Sequence, residues 1–220
     1  MKNKRDSFNR RQIHLRKTLI IMAVVAIFTP VIITGETGGG NSPHHFATVA
    51  SANRDEPADR QSTGGESSDE VYEATKDLHE TGIAQDVNIF TWRLDVEGEK
   101  VGKPLSLTYR ELKNMEMIKK EVVLVCPGVF TDTAEWEGVP LLDILEMAQV
   151  AEDYDKVHIR GLDGYRSVLD RESIDKHIVF LALKVNGVTL PKEHGYPVRL
   201  VAEDISGGKW VKWIKSIEVK

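Results

Sequence analysis

The sole cysteine, Cys126, ends the apolar run from Glu121 and is followed at once by Pro127-Gly128. A thiol at a strand end before a turn is presented to whatever lies beyond the strand, and as a thiolate it binds transition metals well. Two plainer readings stand beside that one. Cys126 is a small buried hydrophobe, or it is a redox thiol, with no second cysteine to resolve an oxidised form. A lone cysteine excludes an intramolecular disulfide framework. The second reactive group lies in HGYPVRLV, where His194 and Arg199 bracket a turn. Arg199 enters an apolar strand, where a guanidinium without an anion is costly to bury. Its partner is an acid of the chain or a phosphate, which the planar guanidinium fork matches. The third is SGGKWVKWIKSIEV, where Gly207-Gly208 lets a ligand approach the backbone and Lys209 and Lys212 add charge. It is not a P-loop, because G-x-x-x-x-G-K-[ST] is absent.

The elements that must position these groups read as short strands mixed with short helices, an α+β domain. Val71, Ala74 and Leu78 are spaced for one helix face, predicting a helical lead-in over residues 69–85 before a domain at 86–220. Strands are expected at 87–96, 105–107, 121–126, 156–160, 178–185, 198–202 and 210–219. The run at 121–126 is apolar enough to be covered on both faces. Thr108 with Glu111 is a capping box for a helix to about Met115. Further helices are expected over 141–150 and 171–176. Asn186-Gly187 is a strong hairpin signal. Trp136, Trp210 and Trp213 read as core or pocket wall.

The chain has 220 residues and a net charge of −5, with 41% apolar and 29% charged residues. That acidity argues against nucleic-acid binding, which needs a basic face. Residues 1–20 carry a net +6 and residues 69–220 a net −8. The basic start precedes an apolar run of 17 residues, Thr18 to Thr34. Residues 1–34 therefore read as a signal or signal-anchor, and Arg10-Arg11 resembles a twin-arginine export motif. Ala50-Ser51-Ala52 matches an A-x-A cleavage site. Residues 35–68 read as a disordered tether by composition, with His44-His45 incidental to it. The expected location is extracytoplasmic, secreted or membrane-anchored.

Taken together, the three reactive segments resemble the oxidoreductase molybdopterin-binding domain of sulfite oxidases and of periplasmic methionine sulfoxide reductase catalytic subunits. The resemblance covers about residues 87–220. It rests on Cys126…Trp136-x-Gly138-x-Pro140-Leu141, on His194-Gly-x-Pro-Val-Arg199, and on Gly207-x-Lys209-x-x-Lys212-Trp213. It implies a sulfite-oxidase-like fold and a molybdenum–molybdopterin cofactor. Cys126 would ligate the metal, His194 and Arg199 would hold the pterin and its phosphate, and Lys209, Trp210, Val211 and Lys212 would wrap it. The activity implied is two-electron oxo transfer on a small-molecule substrate, with a haem- or quinol-linked redox partner; no catalytic acid or base is assigned. A cofactor inserted before export would suit the twin-arginine motif. The chain departs from the family in four respects. No arginine follows Cys126, which disfavours sulfite. Gly161 stands where the family has a hydroxyl, no pterin-touching segment is recognised before Asp86, and the dimerisation domain of sulfite oxidases is missing. A cofactor-free binding or sensor module on the same scaffold is the alternative. Phe130, Asp132 and Arg166 are expected at the pocket mouth.

Overall fold

The computed structural model describes residues 66–220, so the leader, the twin-arginine motif, His44-His45, the A-x-A site and most of the tether lie outside the described residues. Two five-stranded sheets carry the domain. Helix α1 (Ser68–Thr75) opens it, with Ser67 and Glu70 closing a capping box. Strands β1 (Leu94–Glu97) and β2 (Leu105–Leu107) follow, then α2 (Tyr109–Lys113) on the Thr108–Glu111 capping box. The hairpin β3 (Ile118–Cys126) and β4 (Phe130–Pro140) leads into α3 (Leu141–Met147). A second hairpin, β5 (Lys156–Gly161) and β6 (Arg166–Asp170), leads into α4 (Arg171–Lys176). Strands β7 (Val179–Val185), β8 (Val188–Thr189), β9 (Arg199–Ala202) and β10 (Ile214–Val219) complete the order.

The first sheet runs β2-β1-β10-β5-β6, with β1 and β10 parallel and its other pairs antiparallel. The second runs β3-β4-β7-β8, and β9 also pairs with β7. Six of the seven residues of β7 are buried, as expected for a strand flanked on both edges and covered on both faces. Leu94, Val96, Ile159 and Ile217 of the first sheet and Phe180, Leu181 and Leu200 of the second belong to one apolar cluster. Backbone bonds Leu200 N–H to Val211 O and Ile214 N–H to Val198 O tie the loop before β10 to β9 and the residue preceding it. Among the described residues no helix is long and apolar enough to cross a membrane.

Several expectations change. Strand β3 alternates instead of being buried on both faces: Val122 and Leu124 point inward, while Val123 and Val125 are exposed. Its apolar outer positions gave the appearance of double burial. The turn at Pro127-Gly128 leads into the long strand β4, where no element was expected, and Arg166–Asp170 is likewise a strand. Helix α1 stops at Thr75, and residues 76–93 carry no helix or strand. Of the first expected strand only residues 94–96 form, as part of β1, and β10 starts at Ile214, leaving Trp210 to Trp213 in the connecting loop. The Asn186-Gly187 hairpin forms as expected, both residues at positive φ.

Candidate functional site

Cys126 is half-buried at the end of β3, opposite Phe130 of β4. The alternation of the hairpin puts Cys126, Leu124, Phe130 and Asp132 on one face. The thiol borders a cavity of about 280 Å³ shared with Thr81, Gly82, Asp163, Tyr165, Gly207, Gly208, Trp210, Lys212 and Trp213. Gly207, in the short 3₁₀ turn Gly207–Lys209, presses against it: an added Cβ would lie 2.6 Å from Cys126 Sγ. Only a residue without a side chain lets the turn meet the thiol.

His194, Arg199 and Lys212 are all buried, at 3%, 3% and 7% exposure. Gly195, at φ 112, lets them converge. A Cβ there would sit 3.1 Å from both Arg199 Cβ and Lys212 Cβ. Arg199 makes no ion pair among the described residues; Nη1 donates to His194 O at 3.2 Å. Its guanidinium carbon lies 4.6 Å from the Trp136 ring and 5.6 Å from the Trp210 ring, a cation–π contact with each of two rings set nearly at right angles. The structure thus supplies no carboxylate partner of the kind the sequence left open. Arg199 Nε and Trp136 Nε1 are buried donors without acceptors, and such groups are costly unless something accepts from them.

The electrostatics agree with the geometry. Burial, then Arg199 and Lys212, push His194 down to about 4. Burial, then Arg199, lowers Lys212 to about 8, and burial lowers Arg199 to about 10. Asp132, also buried, opposes the shifts of His194 and Arg199. A crowded cationic group short of negative charge is a receptor for an anion.

This predicts a specific acid sensitivity. Between 6.5 and about 4 the unfolded chain binds a proton at His194 that the folded chain excludes. Stability therefore falls as pH drops through that window, by on the order of 3 kcal/mol at most. Urea unfolding of wild type and His194→Asn checks it. The variant should lose less stability across the window, and parallel curves would contradict the assignment.

The sequence-predicted residues do not all meet. Cys126, Trp210 and Lys212 border the cavity; His194, Arg199, Lys209 and Val211 do not. Lys209 Nζ instead donates to Val168 O at 3.2 Å, and Val211 is fully buried. Phe130, Asp132 and Arg166 do not line the cavity either. Phe130 stacks on His79, Asp132 is buried, and Arg166 is exposed on β6. Their proximity in sequence to Cys126 or to the turn at 163–164 was no guide to their direction. Gly161 is explained by crowding, since a Cβ there would lie 2.6 Å from Lys212 O and 2.5 Å from Asp163 Oδ1. No hydroxyl side chain fits that place while the Lys212 loop packs on it.

The segment before Asp86 was read only as a lead-in, yet it reaches the site. Thr81 and Gly82 border the cavity, and Lys212 Nζ donates to Thr81 O at 2.8 Å and Glu193 O at 2.7 Å. Nothing in its composition marks it, because Lys212 meets it at a backbone carbonyl. Asp163 and Tyr165 were likewise not assigned to a site, whereas Trp213, read as core or pocket wall, does line the cavity.

Comparison with known proteins gives one family. The model of the oxidoreductase molybdopterin binding domain matches residues 80–220. Human mitochondrial sulfite oxidase is 31% identical over 159 residues, covering 59% of this chain and 29% of that protein. The NADPH nitrate reductase of Aspergillus niger is 30% identical over 162 residues, covering 61% of this chain and 19% of its own length. Among solved structures, the sulfane dehydrogenase SoxCD from Paracoccus pantotrophus superposes with a TM-score of 0.57 at 27% identity, over 62% of this chain and 40% of that one. The chain thus spans under a third of the length of these curated relatives. The SoxCD likeness gives the fold expected from sequence, a sulfite-oxidase-like α+β arrangement.

Proposed function

The chain belongs to the oxidoreductase molybdopterin binding domain family, and on that premise we propose that it is an extracytoplasmic molybdenum-cofactor oxidoreductase performing two-electron oxo transfer on a small molecule. One observation carries the reading: the lone thiol borders a cavity with Lys212, and behind it lie the buried Arg199 guanidinium, the buried His194 ring and two buried donors that lack acceptors. These features fit an anionic, metal-bearing pterin. When bound, that group would supply the redox and oxo chemistry itself.

The chain's own part is to hold and orient. Cys126 offers a soft thiolate, and Gly207 packs against it and limits its movement. Lys212 spends two N–H bonds on Thr81 and Glu193 carbonyls, leaving a third for an anion. Trp210 is pinned by bonds from its Nε1 to Ala202 O and Ile205 O, giving a rigid wall. Arg199 and His194 contribute charge and polarity from behind that wall. The basic start and apolar run at 1–34 support delivery across a membrane. A haem- or quinol-linked protein is the redox partner this reading requires.

A second reading, a cofactor-free binding module, draws on one observation: the cavity does not reach Arg199. Elemental analysis and the fluorescence of released oxidised pterin separate the two. Full-length protein from a molybdenum-replete host, exported through its own leader, should contain about one molybdenum per chain. Protein free of both metal and pterin would overturn the enzyme reading and leave the binding module.

A further inference from the structure

Residues 77–82 belong to no helix or strand, and their last two, Thr81 and Gly82, border the cavity. All except Leu78 are exposed. The segment is fastened mainly by side chains of the domain body. Asp132, buried on the Cys126 face of the hairpin, accepts from His79 N–H at 2.9 Å and contacts His79 Nδ1 at 2.6 Å. The His79 ring lies flat on Phe130, with centroids 4.4 Å apart and planes 10° apart. Phe130 is the cross-strand neighbour of Cys126. Lys212 holds the Thr81 carbonyl. Gly82, at φ 74, turns the chain against the edge of the Trp213 ring, which a Cβ would meet at 3.3 Å.

A buried carboxylate devoted to both the backbone and the ring of an exposed histidine 53 residues away is an unusual investment for surface packing. It gives a segment of low intrinsic order one defined resting place. We propose that residues 77–82 form a gate over the Cys126 cavity, latched shut by His79 on Asp132 and Phe130. Segments that open for a ligand are drawn from the least stable parts of a fold, with few buried apolar contacts. This one has a single inward side chain and a detachable clasp. The gate goes beyond the oxidoreductase reading and does not require it, since a binding module would need the same entrance.

Because Cys126 is the only thiol in the chain, it reports the state of the gate directly. The test is the rate at which iodoacetamide, a small neutral reagent, alkylates cofactor-free protein at constant pH. His79→Ala should raise that rate about tenfold, the factor expected from losing one charge-assisted hydrogen bond. His79 is largely exposed, so the variant should fold, and an unchanged thermal midpoint verifies it. Amide hydrogen exchange across 77–83 should accelerate in the same variant while β7 stays protected. His79→Phe, which keeps the stack on Phe130 but loses the Asp132 contact, should fall between the two. Alkylation within twofold of wild type in both variants, with unchanged exchange at 77–83, would overturn the gate. That outcome leaves the metal and pterin analysis unaffected, so the two proposals fail separately.

Discussion

Cys126→Ser should strip the protein of molybdenum while leaving the fold in place. Serine fills nearly the same space at the end of β3, and the half-buried position tolerates a hydroxyl. A hydroxyl is a poor ligand for a soft site, whereas a thiolate is a good one. Even groups that only orient a metal ligand change affinity by about 10–100-fold, so loss of the ligand itself should cost at least the upper figure. Metal content and two-electron turnover should fall together in protein expressed under identical conditions. Pterin content should fall less, because Lys212 and the glycine turn remain. Metal retained at the wild-type level would mean that Cys126 is filler, and the oxidoreductase reading would lose its anchor.

Gly138→Ala should be far more damaging, for a reason unrelated to any ligand. Gly138 sits in β4 where the register against β7 shifts. An added Cβ would lie 2.0 Å from Leu181 O and 2.5 Å from Ala182 Cα. Those are backbone atoms of a strand with six of its seven residues buried, and they cannot yield without breaking the β4–β7 pairing. The expected loss is about 4 kcal/mol or more, a large share of the roughly 5–15 kcal/mol that keeps an ordinary domain folded. Soluble yield and the urea midpoint measure it. Gly208→Ala is the matched control: its methyl would meet only Ser206 Oγ, at 3.9 Å. Equal midpoints for the two variants would show that β7 shifts more easily than its burial implies.

The contrast between these two residues bears on how much the sequence could reveal. The spacing Trp136-x-Gly138-x-Pro140 pointed to the right family, but its members serve the scaffold. Trp136 backs Arg199, Gly138 admits β7, and Pro140 is the N-cap of α3. The Thr108–Glu111 capping box, the Asn186-Gly187 turn and the short helix at 171–176 were legible because each depends on residues adjacent in the chain. Cys126 and Lys212 could be singled out because chemistry restricts which side chains can do such work, and both border the cavity. Strand β4 was not, since its inward positions include Asp132 and its outward ones threonines and acids, giving no clean alternation of apolar and polar. Arg199 was assigned correctly as a buried cation needing help, yet its reach to the cavity depends on Trp210, which no local pattern could place. The part played by 77–82 was hidden for the same reason: His79 meets Asp132 only after the hairpin has formed.

Strand β10, the last of the ten to emerge from the ribosome, lies between β1 and β5 in its sheet. A nascent chain lacking residues 214–219 therefore has a gap in the middle of the sheet and cannot close it. Lys212 and Trp213, which border the cavity, come off the ribosome just ahead of that strand. Capture of any cofactor must accordingly wait until translation has passed residue 219, and a chain stopped before residue 214 should yield an empty, protease-sensitive product.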